Sequence, residues 1–134
     1  MGAEPIGKAH LRRKGSDVTI ISIGVGVHRG LDAAKFLESE GISAGVLDLR
    51  TISPLDKTSV CEEVSQTGRL LVVDEDYEGF GLSGELSAIL LEAGVSCKYA
   101  RVCTPTTIPY TRHLEDRILP NKQRICDSAR KLMQ

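Results

Sequence analysis

The stretch whose reading decides the fold is Val18-Thr19-Ile20-Ile21-Ser22-Ile23, followed by Gly24-Val25-Gly26. Its first six residues are β-branched and almost continuously apolar, the pattern of a strand buried on both faces. A glycine-rich turn comes next. Val27, Leu31, Ala34 and Leu37 then recur at helical spacing, and Gly41 stands where a helix C-cap belongs. A doubly buried strand feeding directly into an amphipathic helix is one βα unit of a parallel sheet covered by helices.

The same alternation continues toward the carboxyl end. Ser43 to Leu49 reads as a second buried strand. Ser53-Pro54-Leu55-Asp56 reads as a helix start: Ser53 caps the free N–H groups, Pro54 loses no hydrogen bond at the first helical position, and Asp56 reaches back to complete the box. That helix is expected to reach about Gln66, with Val60 and Val64 facing inward, and to stop at Thr67-Gly68. Leu70 to Val73 is a third buried strand; Leu82, Leu86, Ile89, Leu90 and Ala93 mark a helix that Gly94 ends; Tyr99 to Val102 is a short strand. Thr104 to Pro120 holds three prolines and reads as irregular, and Ile125, Ala129 and Leu132 mark a closing helix. Toward the amino end, Gly15-Ser16-Asp17 is a turn, His10 to Arg13 a short polar strand, and residues 1–7 a tail or linker end before a domain over 8–134.

Strands alternating with helices predict a mostly parallel sheet with helices on both faces and right-handed crossovers. Ligands and partners of such sheets gather at the carboxyl ends of the strands, where the winding reverses. That reversal is expected between the strands ending at Ile23 and Val73, at the loops Gly24 to His28 and Asp74 to Phe80.

Composition narrows the function. A length of 134 residues suits one domain able to bury a core without disulfides or metal. The 17 basic and 18 acidic residues nearly cancel, which argues against a general nucleic-acid binder. No apolar run approaches the roughly 20 residues that span a bilayer. The amino terminus lacks the layout of a secretory signal, so a cytoplasmic location, or an organelle matrix, is expected. Cys61, Cys97, Cys103 and Cys126 show no Cys-x-x-Cys pair and no zinc spacing, and read as small buried apolar residues.

Four segments could carry chemistry. Gly24-x-Gly26-x-x-x-Gly30, with Asp48 ending the next strand, approximates a dinucleotide fingerprint in which glycines admit a pyrophosphate and the acid holds a ribose. The third glycine is one residue late, and the alternative is a tight turn that needs small residues. The run Asp74-Glu75-Asp76-Tyr77-Glu78 has three readings: a cation or acid/base site, a solvated loop, or a contact surface. Its place at the crevice, beside Tyr77 and Phe80, favours contact. Gly79 to Glu85 has three glycines and no phosphate-loop lysine, so close packing of another chain around Phe80 is preferred to anion binding. The proline-stiffened stretch with Tyr110, Arg112 and His113 suits presentation to a partner; His113 as an acid/base, with Glu75, is the enzymatic alternative. No Gly-x-Ser-x-Gly elbow and no Gly-Lys-Ser or Gly-Lys-Thr loop occurs.

Taken together, the segments resemble a family. Ile6-Gly7-Lys8-Ala9, Gly15 to Thr19, Leu47-Asp48-Leu49-Arg50-Thr51-Ile52-Ser53-Pro54-Leu55-Asp56, Gly68 to Glu75, Gly79-Phe80-Gly81, Ile108-Pro109-Tyr110 and Leu119-Pro120 are similar, in order, to the transketolase carboxy-terminal domain. The nearest version is that of the beta subunits of pyruvate, branched-chain and acetoin dehydrogenases; transketolase itself and deoxyxylulose-phosphate synthase share the domain. The resemblance implies a three-layer α/β/α fold with a mixed, mostly parallel five-stranded sheet whose first strand, His10 to Arg13, is antiparallel at the edge. It implies that the complete enzyme decarboxylates a 2-oxo acid on thiamine diphosphate and magnesium. The family's cofactor motifs lie in other domains, so no catalytic, cofactor-binding or metal-ligating residue carries over to this chain. The implied role is assembly with the alpha subunit and the pyrimidine-binding domain, contact between copies, and docking of the acyltransferase core. Glu75, Tyr77, Phe80, Tyr110, Arg112 and His113 are the candidate contact residues. The chain departs from the common pattern at Asp76-Tyr77-Glu78 and has no acid before Thr106. Both differences fall on the expected contact surface, where they put the identity of the partner in question.

Overall fold

Strand β2 (Val18–Ser22) is buried at all five positions because the sheet flanks it on both sides and helices cover it above and below. It lies between β3 (Ala44–Asp48) and β4 (Arg69–Tyr77), parallel to both, with Ile20 opposite Val46 on one side and Leu71 on the other. β5 (Lys98–Thr104) runs parallel outside β4, and β1 (His10–Arg13) runs antiparallel outside β3, giving the order β1-β3-β2-β4-β5. The computed structural model describes residues 7–51, 55–77, 82–104 and 122–134.

Alternation along the strands divides the core in two. Val18, Ile20, Val46, Leu71 and Val73 point to the face covered by α1 (Val25–Glu38) and α4 (Lys122–Leu132), where Leu37, Ile125 and Ala129 meet them. Ile21, Leu47, Leu70 and Val72 point to the opposite face, against Val60 and Val64 of α2 (Lys57–Thr67) and Leu86 and Ile89 of α3 (Leu82–Ala93). The three-layer α/β/α architecture, with its antiparallel edge strand, is as expected. Of the cysteines, Cys126 is buried against Ala33, while Cys61 and Cys97 are only partly buried.

The helix ends follow local chemistry. After α1, the Ile42 N–H donates to Leu37 O and the Gly41 N–H to Glu38 O, with Gly41 at φ 82°. Gly94 repeats the arrangement after α3. This paired closure leaves one residue in the left-handed region, which glycine enters without strain.

Three boundaries differ from expectation. Helix α2 begins at Lys57 and is capped by Asp56, whose Oδ1 accepts the Ser59 N–H at 3.1 Å; the expected start at Pro54 is wrong, and Ser53 and Pro54 lie outside the described residues. A carboxylate facing the free N–H groups of a helix also meets its positive end, so Asp56 outcompetes a start one turn earlier. Asp74 to Tyr77, read as a loop, continues β4, because β5 runs on to Thr104 and pairs with it at Tyr77, past an irregularity after Val73. The connection after β2 is only Ile23 and Gly24, since α1 already starts at Val25.

Candidate functional site at the carboxyl edge of the sheet

Strands β2 to β5 end on one edge, and the winding reverses between β2 and β4, as predicted. Here α1 leaves β2 on one face while α3 returns from β4 on the other. Ser22, the last residue of β2, is fully buried and donates its hydroxyl to Val73 O of β4 at 2.5 Å. A Cβ on Gly26 would overlap the Ser22 Oγ, and one on Gly30 would lie 3.1 Å from Ile20 Cγ2. These glycines therefore let α1 cross the sheet closely. The tight-packing alternative for this motif holds, though through the first turns of a helix rather than a loop. Gly24 itself sits at φ 65° with no side-chain cap on the helix.

Two acids described at this edge, Asp74 and Asp48, are engaged. Asp74 is buried, and its Oδ2 accepts the Leu82 N–H at 2.5 Å, tying the end of β4 to the first turn of α3. The first carboxylate of the acidic run is thus a helix fastener. Asp48 accepts the Arg50 N–H at 2.9 Å through Oδ1 and lies 3.8 Å from the Arg12 guanidinium through Oδ2, so the carboxylate that a ribose would need is held by its own chain. On α3, Ser83 is fully buried; its carbonyl accepts from Tyr99 Oη at 3.4 Å and its Oγ from Arg101 at 3.5 Å, which fastens β5 to the same helix.

A second cluster gathers where β1 meets α2. Asp56 Oδ2 accepts the Ala9 N–H at 2.8 Å and the Ser59 hydroxyl at 2.7 Å, and Lys8 Nζ stands 3.9 Å away. Burial alone would raise this carboxyl's pKa. The hydrogen bonds from Ser59 and Ala9 and the charge of Lys8 outweigh burial and leave it below the usual carboxylate range.

Of the candidate contact residues, Glu75 and Tyr77 fall on the backbone of β4; Phe80, Tyr110, Arg112 and His113 lie outside the described residues. Sequence reasoning missed two features. The clasp of Asp56 on Ala9 joins residues 47 apart, which no local pattern signals. Arg50 has φ 64°, a left-handed backbone at a residue type that gives no hint of it. Among the described residues, no three His, Cys, Asp or Glu converge to hold a metal ion, and no helix is long and apolar enough to cross a membrane.

The arrangement defines a doubly wound α/β domain in which Ser22, Asp48 and Asp74 at the reversal fasten its own elements. Comparison with known proteins gives the family. The model of the transketolase C-terminal domain matches residues 7–125, and the chain belongs to that family. The chain is 42% identical, over 98% of its length, to the acetoin:2,6-dichlorophenolindophenol oxidoreductase subunit beta of Cupriavidus necator. It is 38% identical, over 97%, to the 2-oxoisovalerate dehydrogenase subunit beta of Bacillus subtilis. It spans only 40% and 41% of those proteins. Among solved structures, a split-gene transketolase, described as an inactive beta4 tetramer, superposes with a TM-score of 0.89 at 25% identity, covering 99% of this chain and 44% of that one.

Proposed function

We propose that this chain is the carboxy-terminal assembly and docking domain of a beta subunit of a thiamine-diphosphate-dependent 2-oxo acid dehydrogenase. The observation that carries the reading is the match of nearly the whole chain to about two fifths of such beta subunits. At the switch point, Ser22, Asp48 and Asp74 are engaged in holding the fold, which supports a role in contact. Decarboxylation on thiamine diphosphate and magnesium is assigned to the rest of the assembly, since the chain matches only about two fifths of such beta subunits. By itself this domain turns over no substrate. Its partners are the alpha subunit, the pyrimidine-binding domain, a second beta subunit and the acyltransferase core, in the cytoplasm or an organelle matrix. Glu75, Tyr77, Phe80, Tyr110, Arg112 and His113 are the contact residues this reading assigns.

Mixing the chain with the alpha subunit and the remaining part of the beta subunit should yield a complex by native mass measurement. Failure to associate at any ionic strength sinks the proposal. One observation favours a second reading, the carboxy-terminal domain of a transketolase: the TM-score of 0.89 to the split-gene enzyme. Under that reading the chain complements a transketolase fragment and restores ketol transfer instead.

A further inference from the structure

The chain enters the domain through more fixings than a simple spacer requires. Gly7 sits at φ 83°, a left-handed bend shortly before β1. Two residues on, Ala9 is buried and belongs to the core layer under α2 and α3. Its N–H donates to Asp56 Oδ2 at 2.8 Å, and Lys8 Nζ approaches the same oxygen at 3.9 Å. The bend, the ion pair and the buried, hydrogen-bonded alanine fall on consecutive residues. A segment that only spans a gap needs none of them.

Asp56 works in two directions at once. Its Oδ1 caps α2 through the Ser59 N–H at 3.1 Å, while its Oδ2 accepts both the Ala9 N–H and the Ser59 hydroxyl, the latter at 2.7 Å. Capping alone does not call for a carboxylate, since serine or asparagine caps a helix about as well. A serine hydroxyl has one oxygen and cannot face both the helix end and the incoming strand. Aspartate carries two oxygens in one plane, and Ser59 fixes the direction of that plane. The entering backbone is thereby tied to the first turn of α2, a helix rooted in the core by Val60 and Val64.

We infer that the entry at Gly7 to Ala9 is a fixed joint, with Asp56 as its positioning residue, which holds the preceding part of the beta subunit in one orientation relative to this domain. The inference rests on the assembly reading and adds how the domain is presented to its partners. A joint that removes orientational freedom before association lowers the entropy cost of assembling the subunits.

The experiment compares the parent with Asp56→Ser, which keeps a capping oxygen for α2 and gives up the one facing Ala9. In this chain, hydrogen exchange reads the Ala9 amide against those of β2. Asp56→Ser is expected to speed exchange at Ala9 about tenfold more than at β2, the mark of a local opening. Small-angle X-ray scattering then compares whole beta subunits, parent and variant, each checked by circular dichroism to be folded. The parent should scatter as one rigid particle, and the variant with a larger radius of gyration and a range of orientations. Where Asp56→Ser does not fold, Asp56→Asn replaces it, since it leaves one acceptor for α2 and turns a donor toward the Ala9 N–H. Exchange at Ala9 that only follows β2 overturns the inference, because the carboxylate would then serve the fold as a whole. So does faster exchange at Ala9 with unchanged scattering, which would confine the clasp to its own surroundings. Absence of any association by the parent chain with the alpha subunit and the remaining part of the beta subunit overturns the assembly reading and the joint with it.

Discussion

Gly26 and Gly15 owe their identity to the lack of a side chain, but they meet different neighbours. A Cβ on Gly26 would collide with the end of a side chain, Ser22 Oγ; one on Gly15 would collide with backbone, at Gly45 N and Ala44 C. A hydroxyl can rotate at the loss of its bond to Val73 O, whereas paired strands cannot separate locally. Gly26→Ala is therefore expected to cost about 1–3 kcal/mol, and Gly15→Ala distinctly more, as read by urea unfolding. Equal costs would show that the backbone near Gly15 yields easily. Asp56 is the second residue to test. Its carboxyl titrates lower in the folded chain than in the unfolded one. Folding is favoured by the charged form above the unfolded carboxyl pKa, near 3.9, and that contribution fades as pH falls through the lower folded value. Melting curves between pH 7 and 3 should fall more steeply for the parent than for Asp56→Asn. At pH 7 that variant loses the charge facing the helix end and turns one of the two accepting oxygens into a donor that faces an N–H, so it should cost about 1–3 kcal/mol.

Among the elements, β1 is held unlike the other strands. Its residues are exposed or partly exposed, and Leu11 is its one apolar side chain. Beyond its ladder to β3, the side chains on and flanking it attach ionically: Lys8 to Asp56, Arg12 to Asp48, Arg13 to Glu38 at 3.1 Å and Lys14 to Glu63 at 3.2 Å, with Gln66 as a further partner of Lys14. Each pair has at least one partner open to solvent, and solvent-facing pairs contribute roughly 0–1 kcal/mol and weaken with salt. Hydrogen exchange at about 1 M salt should show the amides of β1 losing protection while those of β2, buried at every position, keep theirs. Protection of β1 that ignores salt would mean the ladder to β3 alone retains it. A contrast comes from α1 and α4, where Arg130 pairs with both carboxylate oxygens of Glu40 at 2.7 and 2.8 Å and both Arg130 and Lys122 lie over the Phe36 ring. That contact sits on top of an apolar interface, so Arg130→Ala should lower the melting temperature without loosening α4 selectively.

At the scale of the whole molecule, one sheet serves two cores. Ile20 and Ile21 are adjacent, fully buried, and belong to opposite faces. Each truncated to alanine is expected to cost about 2–5 kcal/mol. Because β2 and β4 contribute to both layers, either substitution should move one common unfolding transition, seen alike by circular dichroism and by aromatic fluorescence. Two separated transitions would mean that the layers melt independently.

The order of elements, the doubly buried central strand, the inward faces of the helices and the point of reversal were all legible along the chain. They depend on periodicity and on glycine and capping chemistry, which act within a few residues. The family was legible as well, since its motifs are contiguous. The role of the glycines from Gly24 to Gly30 was not, because a helix crossing a sheet and a phosphate approaching a backbone ask for the same absent Cβ. Nor was the extension of β4 through Asp74 to Tyr77. An acidic stretch has no strand signature of its own, and it becomes strand because β5, more than twenty residues later, lies alongside. Asp56 closing on Ala9, Asp74 on Leu82 and the left-handed turn at Arg50 likewise waited on the fold. The two carboxylate bonds join groups whose distance chain packing sets, and the backbone angle of Arg50 has no marker in its residue type, whereas local sequence can specify only what neighbours along the chain do to one another.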